Sequence, residues 1–299
     1  HPNGTDPESS QETACAGTDE EKPAKATEES RTGTMKIVKK LFQTVCFAAL
    51  FLSAGFLIYH MVYLPMENKK LVAELKGNFP EPEAPGASGS EKKDQPAGRK
   101  CPVAAVDLVS LRKQYPDVQG WLTIPDTGID YPVLQSEQEN GEFYLKRNYK
   151  KEYDINGSLF FQADCKVSKS RNLIIYGHNM NSGAMFGNLD LYAGEDYYNA
   201  HRFAYLQTED GIQEYRIVMV LKADRDLFPF QQKLPDAVAV QAYLKAAKQR
   251  EVFETGDDYL KCIYDKVLTL VTCSYEWSGA RNIVLAVPVS GAMWSQKCS

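Results

Sequence analysis

Hydrophobic and polar residues divide this chain into a polar start, one long apolar run, a polar spacer and an alternating remainder. The apolar run extends from Leu41 to Leu64, 24 residues without Asp, Glu, Lys or Arg. A helix of this length, rising 1.5 Å per residue, crosses the roughly 30 Å hydrocarbon core of a bilayer. The run therefore predicts one transmembrane helix. A buried core helix would be shorter and have a polar face, and a cleaved signal peptide has a shorter apolar region nearer the start.

The charges on the two sides of the apolar run predict its orientation. The twenty residues before Leu41 contain six Lys or Arg, and the twenty after Leu64 contain three. Because positive flanks stay in the cytoplasm, we expect a single-pass protein of the cell membrane with its amino terminus inside and the rest outside. Residues 1–35 and 65–100 are charged, rich in small polar residues or Pro, and poor in large apolar residues. We predict a disordered cytoplasmic tail and an extracellular linker of extended or coil character.

The alternating remainder predicts a mainly β domain. Short runs rich in Val, Ile, Leu, Phe and Thr are separated by Gly, Asn, Asp or Pro, which is typical of strands. These runs are 157–161, 172–176, 214–221, 267–272 and 282–289. Helical spacing occurs at 106–115 and at 236–253, the second directly after Pro235. The predicted organisation is a tail at 1–35, a membrane anchor at 36–64, a linker at 65–100, a folded domain at 101–291 and a C-terminal tail at 292–299.

Composition argues against several functional classes. The 299 residues contain 34 Lys or Arg and 39 Asp or Glu, a net charge of −5, whereas nucleic-acid-binding surfaces are basic. We therefore expect no nucleic-acid partner. The chain has no phosphate-binding loop, nucleotide fingerprint or clustered metal-ligand spacing, so no cofactor and no metal are predicted. The seven Cys include no Cys-x-x-Cys pair and form no evident disulfide framework.

Elimination among four histidines leaves one candidate for acid–base chemistry. His1 lies in the tail, His60 in the apolar run, and His201 in the polar sequence YYNAHRF, typical of a surface residue. His178 ends the apolar run NLIIYGH, where a strand passes into a turn. A strand end is a position from which a rigid sheet presents a side chain to a substrate.

Cys273 and Arg281 occupy two further predicted strand ends. Cys273 ends VLTLVTC, and Arg281 precedes NIVLAVPV. Taken singly, Cys273 is as well explained by a buried small apolar residue as by a nucleophile, and a lone His at a strand end, such as His178, is more often structural than catalytic. Together, the three side chains suit acyl transfer. The imidazole raises the thiolate fraction of the thiol and protonates a leaving amine, and the guanidinium holds an oxyanion.

Several motifs resemble those of the sortases, most closely class B. They are TLVTC at 269–273 followed by Arg281, YGHNM at 176–180, MFGNL at 185–189 and GWLTIPDTGIDYPVLQ at 120–135. The resemblance covers residues from about 105 to 289. It implies a closed eight-stranded sortase-type β-barrel with an N-terminal helix and a long helix inserted before the strand of Cys273. It also implies a membrane-anchored cysteine transpeptidase.

The resemblance implies roles and partners as well. Cys273 would attack the carbonyl of a Thr in a C-terminal pentapeptide sorting signal of secreted proteins and form a thioester. His178 would protonate the departing amine and then deprotonate the incoming one, and Arg281 would hold the substrate backbone and the oxyanion. The acceptor amine would come from a peptidoglycan precursor or a pilin.

Three residues are candidates for substrate binding, and one alternative function stays open. The candidates are Tyr176, Thr272 and Asn140. Tyr176 is equally well explained as an aromatic residue that packs on the barrel, and Asn140 lies five residues before Leu145 where the family pattern has four. The alternative function is a membrane-tethered binding or adhesion β-barrel without catalysis, in which Cys273 is a core residue.

Overall fold

The computed structural model describes residues 25–80, 101–136, 141–224, 226–256, 258–273 and 279–294. It divides into two units, residues 1–57 and 58–299. The first unit contains all but the last residue of helix α1 (Lys25–Ile58). Within the described ranges, α1 supplies one stretch, Met35–Ile58, that is long and apolar enough to cross a membrane. The helix thus begins inside the segment predicted as a tail and ends before Leu64.

In its described residues, the second unit contains a short π-helical turn (Tyr59–Tyr63), four α-helices and eight strands. The helices are α2 (Leu64–Asn78), α3 (Leu108–Gln114), α4 (Glu195–Ala200) and α5 (Ala237–Lys248). The strands are β1 (Val118–Ile124), β2 (Ile129–Leu134), β3 (Leu159–Phe161), β4 (Asn172–Gly177), β5 (Phe203–Thr208), β6 (Gly211–Ala223), β7 (Val267–Cys273) and β8 (Arg281–Trp294).

The eight strands form a closed barrel, which confirms the predicted fold. Their order around the barrel is β1-β2-β3-β4-β7-β8-β6-β5, and β5 pairs with β1 to close it. The β2–β3 and β4–β7 pairs are parallel, and the others are antiparallel. Closure leaves no unpaired sheet edge along the barrel wall. The parallel β4–β7 pair matters for function, because the carboxyl ends of both strands lie side by side.

Strands near the site are buried on both faces. Leu173 and Ile175 of β4 point into the barrel core, whereas Ile174 belongs to a second cluster that includes α5. In α5 the covered residues are Val240, Tyr243, Leu244 and Ala247, at helical spacing. This double burial explains why β4 and β7 are continuous apolar runs in the sequence.

The inserted helix is shorter than its sequence pattern predicts. Asp236 caps α5 by accepting a hydrogen bond from the Ala239 backbone N–H at 2.8 Å. The prediction extended the helix to residue 253, but α5 ends at Lys248. The chain beyond it pairs with β6 instead, through a bridge between Glu251 and Leu221. Apolar residues at 252 and 253 therefore continue the pattern without continuing the helix.

The start of the predicted linker is helical and packs on the barrel. Leu75 of α2 is 2% exposed, and Leu71 and Val72 pack in the same cluster as Trp121. The Lys76 ammonium lies 2.6 Å from the Asp130 carboxylate. The expectation of extended or coil structure fails here because the three apolar residues lie on one helical face, so they gain burial despite their polar neighbours. The boundaries of the five predicted segments stay predictions.

Candidate active site

Three adjacent strand ends bring the predicted site residues to one end of the barrel. The last parallel pair of β4 and β7 is Gly177 with Thr272, and His178 is the next residue after β4. Cys273, the last residue of β7, pairs directly with Arg281, the first residue of β8. The backbone register therefore brings His178 to Cys273 and Arg281, which lie 95 and 103 residues further along the sequence.

The loop after β4 is tightly built around His178. The His178 carbonyl accepts a hydrogen bond from the Phe186 backbone N–H at 2.9 Å. Asn179, buried, donates to the Asp190 carboxylate at 2.6 Å and forms a bridge with Met185. These contacts involve the YGHNM and MFGNL motifs, so the second motif folds back onto the first. Their effect is to fix the backbone from which the His178 side chain projects.

The imidazole of His178 is half-buried, and its surroundings favour the neutral form. Burial lowers the pKa of His178 below its ordinary value of 6.5, because a charged ring loses hydration. A hydrogen bond to the Leu145 backbone carbonyl opposes this shift, and the positive charge of Lys146 adds to it. At neutral pH the ring is therefore ready to accept a proton. A neutral imidazole can serve as a base toward a thiol or an amine.

Arg281 presents a cation at the neighbouring strand end. Its Nη1 donates to the Ala280 carbonyl at 2.8 Å. In the part of the chain that the structure describes, no carboxylate forms an ion pair with Arg281. A guanidinium that lacks such a partner can donate to a backbone carbonyl or a developing oxyanion.

A cleft of about 620 Å³ opens beside these strand ends. Its lining includes Tyr176 and Gly177 of β4, Val271 and Thr272 of β7, and Arg281 of β8. His178 is not one of the described lining residues, although it directly follows Gly177. The volume is in the range of a short peptide or drug-sized ligand.

Two chain segments far apart in sequence form the walls of the cleft. One wall contains Gly141, Glu142 and Leu145, and the other contains Asp224, Asp226 and Gln231 of the β6–α5 connection. That connection is fastened to the barrel, because Asn172 donates through Nδ2 to the carbonyls of Phe230 and Gln232, at 3.0 and 3.1 Å. The β6–α5 connection is thus a fixed wall.

Tyr176 links the β3–β4 connection to the β6–α5 wall by hydrogen bonds. Its hydroxyl donates to Gln162 Oε1 at 3.0 Å and accepts a hydrogen bond from Gln231 Nε2. Its ring stacks on Phe160, with ring centroids 5.6 Å apart. The ring of Tyr176 thus packs on the barrel while the residue lines the cleft, and its role in substrate binding stays a prediction.

The other substrate-binding candidates have different outcomes. Thr272 lines the cleft and is 1% exposed, and its buried Oγ1 has no hydrogen-bond partner among the residues that the structure describes. Asn140 lies outside the described residues, although Gly141 and Glu142, which follow it, line the cleft. The sequence analysis missed Gln162 and Gln231. Nothing in their local sequence marks them, because only the closed barrel brings them together.

The remaining titratable candidates have structural surroundings. His201 ends α4, and its Nδ1 lies 2.9 Å from the Tyr197 carbonyl. Cys46, Cys101, Cys165 and Cys262 are free thiols. Within the described ranges no three or more His, Cys, Asp or Glu side chains are grouped as metal ligands.

Comparison with known proteins identifies the family. The family model described as Sortase domain matches residues 122–289. Sortase B of Listeria monocytogenes is 31% identical over 237 residues, which cover 78% of this chain and 89% of the relative.

Solved structures agree with this similarity. Sortase B of Bacillus anthracis matches with a TM-score of 0.58 and 25% identity, covering 76% of this chain and 99% of that one. Sortase B of Clostridium perfringens matches with a TM-score of 0.54 and 27% identity, covering 61% and 100%. These matches, together with the closed barrel, show that the chain belongs to the sortase family of cysteine transpeptidases, in class B.

Proposed function

We propose that this chain is a membrane-anchored transpeptidase that cleaves a C-terminal sorting signal after a Thr and joins the new carboxyl end to an amine of the cell wall or of a pilin. The family membership carries the reaction class. The observation that supports the residue roles is the register of β4, β7 and β8, which lines up Cys273 with Arg281 and sets His178 beside them. The cleft next to these strand ends is large enough for a peptide.

In the first half of the proposed reaction, the neutral His178 takes the proton of the Cys273 thiol, and the sulfur attacks the Thr carbonyl carbon. Arg281 donates to the oxygen that becomes negative in the tetrahedral intermediate. The carbon–nitrogen bond then breaks, and the imidazolium gives its proton to the leaving amine. The products are a thioester on Cys273 and a released C-terminal fragment.

The second half uses the same groups in reverse. An incoming amine attacks the thioester carbonyl and gives a proton to His178. The carbon–sulfur bond breaks, and the sulfur regains the proton from the imidazolium. The lowered pKa of His178 suits this step, because the ring must be unprotonated before the amine arrives.

A variant set tests the roles of the three residues. The full chain in detergent is incubated with a peptide library that holds one Thr and varies its neighbours, together with hydroxylamine as a general amine. We expect Cys273→Ala to abolish cleavage and joining, and Cys262→Ala, which removes an exposed free thiol, to leave both unchanged. Mass spectrometry of the parent should detect an acyl group on Cys273. Absence of cleavage by the parent would favour the non-catalytic binding alternative, and full cleavage by Cys273→Ala would reject Cys273 as the nucleophile.

A separate measurement tests the anchor and its orientation. Protease added to intact cells should digest the barrel domain and leave a fragment that contains Met35–Ile58, the apolar part of α1. Opening the cells should expose the residues before the helix as well. Protection of the barrel from protease in intact cells would reject the proposed orientation without contradicting the proposed reaction.

A further inference from the structure

A turn formed by residues 147–156 lies against α2 and carries exposed apolar side chains. Tyr153 is 75% exposed and Ile155 is 36% exposed. They flank Asp154, whose carboxylate accepts a hydrogen bond from Asn68 Nδ2 of α2 at 3.1 Å. The turn is therefore fastened to α2 at the residue between two side chains that face solvent.

The turn is rigid, so its apolar side chains are held outward. Asn148 Oδ1 accepts hydrogen bonds from the backbone N–H groups of Lys150 and Glu152, at 2.9 and 3.1 Å. The Asn148 backbone N–H donates to the Glu152 carbonyl at 3.0 Å, and Arg147 bridges to Tyr153. Because Tyr153 and Ile155 stay exposed to water, their apolar surface contributes no burial free energy to the stability of the turn. Such side chains mark a contact surface when they lie together.

The position of Tyr59 relates this turn to the apolar span. Tyr59 is the first residue after Met35–Ile58, and its ring stacks on Tyr63 with centroids 5.3 Å apart. A cleft of about 420 Å³ is lined by Tyr59, by Asn68 of α2, and by Tyr153 and Ile155 of the turn. The exposed side chains of the turn thus share one cleft with Tyr59, the residue that follows the apolar span.

We propose that the 147–156 turn rests in the headgroup region of the bilayer that α1 spans, with Tyr153 and Ile155 as its contacts. This inference rests on the membrane anchoring in the proposed function. Tyr is enriched at membrane–water interfaces, where its ring is shielded and its hydroxyl stays hydrated, and Tyr59 and Tyr63 suit the same layer. Lys150, exposed on the same turn, favours anionic lipid by a modest amount.

The proposed membrane contact of the 147–156 turn affects the active site through the β2–β3 connection, which contains the turn. Leu145, the hydrogen-bond acceptor of His178, lies a few residues before the turn in the same connection between β2 and β3. A turn seated on the membrane therefore holds the His178 side of the site at a fixed height above the lipid.

Depth-dependent quenching tests the contact. The full chain is reconstituted in vesicles of phosphatidylcholine and phosphatidylglycerol, with and without brominated acyl chains. The probes are two variants, Tyr153→Trp and, as matched control, Ile263→Trp, since Ile263 is 76% exposed and lies in the connection before β7. For each variant, the fluorescence of the parent is subtracted, which removes the signal of the native Trp residues.

We expect bromine to quench the added Trp of Tyr153→Trp about twofold or more over its unbrominated signal, with a blue-shifted emission, and that of Ile263→Trp to be unchanged. Equal behaviour of the two variants in vesicles that retain the protein after alkaline washing would overturn the contact while leaving the anchor intact. Release of the parent by alkaline washing would reject both the anchor and this inference. Retained peptide cleavage by each variant shows that it folds, and Ile155→Trp replaces Tyr153→Trp if it does not.

Discussion

Gly177 packs directly beneath the ring of Phe186, so closely that a methyl group added at Gly177 would lie 2.7 Å from Phe186 Cδ2. The same methyl group would also meet the Leu159 side chain. Gly177 is the residue before His178, and Phe186 belongs to the loop that folds back on it. The glycine of the YGHNM motif is therefore required by packing, which links the motif to the position of the imidazole.

Gly177→Ala should destabilise the fold and lower activity together. Overpacking of this kind costs about 1–3 kcal/mol in the free energy of unfolding, because Phe186 and Leu159 must shift. Since the shift passes to His178, we expect kcat for peptide cleavage to fall as well. Urea unfolding and steady-state kinetics measure the two effects.

Gly77 provides the matched control for this substitution. It lies in α2, and an added methyl group would meet nothing within 4 Å. Gly77→Ala should raise the free energy of unfolding by about 0.5–1 kcal/mol, through helix propensity, and leave kcat unchanged. The packing argument fails if Gly177→Ala is as stable as Gly77→Ala.

Much of the fold could be predicted because its signals are local. The continuous apolar runs that became β4 and β7 and the Asp236–Ala239 cap of α5 appear in a few neighbouring residues. The strand-end positions of His178, Cys273 and Arg281 follow from where those runs stop. The local sequence pattern determines where each strand ends, and the parallel pairing of β4 with β7 then places the carboxyl ends of these two strands side by side.

Other features could not be predicted because they depend on barrel closure or on partners. Gln162 and Gln231 meet at the Tyr176 hydroxyl from two connections that the sequence separates by 69 residues. The α2 helix is set by contacts with Trp121 and Asp130, which a polar sequence window does not reveal. Tertiary burial outweighs local composition at both places.

Asp130 should matter more to stability than the ion pair that it forms with α2. Its Oδ1 accepts hydrogen bonds from Trp121 Nε1 at 2.7 Å and Thr123 Oγ1 at 2.9 Å. Trp121 is 2% exposed, so Asp130→Ala leaves a buried N–H without a partner and should cost about 1–3 kcal/mol. Urea unfolding measures the loss.

Lys76→Ala is the comparison, because it removes the ammonium with its aliphatic chain and keeps the Trp121–Asp130 hydrogen bond. Partly exposed ion pairs contribute about 0–1 kcal/mol, and the Lys76 and Asp130 side chains are 29% and 40% exposed. We expect a smaller loss than in Asp130→Ala, and one that shrinks further in high salt. Equal losses would mean that the ion pair, rather than the Trp121 hydrogen bond, dominates.

The Tyr176 hydroxyl should act on substrate binding by positioning the cleft walls. Tyr176→Phe keeps the ring that stacks on Phe160 and removes the hydrogen bonds to Gln162 and Gln231. With the β6–α5 wall less firmly held, we expect KM for the peptide to rise severalfold and kcat to change little. Steady-state kinetics with the parent and Tyr176→Phe measure the split.

A double-mutant cycle with Gln231→Ala separates this role from direct contact with substrate. If the hydroxyl works through Gln231, the two substitutions together should cost less than the sum of their separate effects, with a coupling of about 0.5–1.5 kcal/mol. Strictly additive effects on KM would instead mean that Tyr176 touches the peptide without the help of Gln231.

The burial of His178 predicts how stability depends on pH. Burial lowers the pKa of His178 in the folded chain below its unfolded value of about 6.5. The unfolded chain therefore binds more protons at this residue as the pH falls below 6.5, and protonation favours unfolding. The stabilisation is fully present above pH 6.5 and is lost as the pH falls through the folded-state pKa. We expect the free energy of unfolding of the parent to decrease over that interval.

His178→Gln isolates this contribution because its side chain does not titrate. Urea unfolding at a series of pH values on both sides of 6.5 should give a steeper loss toward low pH in the parent than in His178→Gln. The imidazole resonance that is absent from the NMR spectrum of His178→Gln identifies the ring, and its titration midpoint in the parent should lie below 6.5. Parallel stability curves with a midpoint at or above 6.5 would mean that the ring is solvated or paired with an anion. In that case the His178 imidazole would be protonated before substrate binds, and the reaction would start from a Cys273 thiolate and a His178 imidazolium instead of a thiol and a neutral ring.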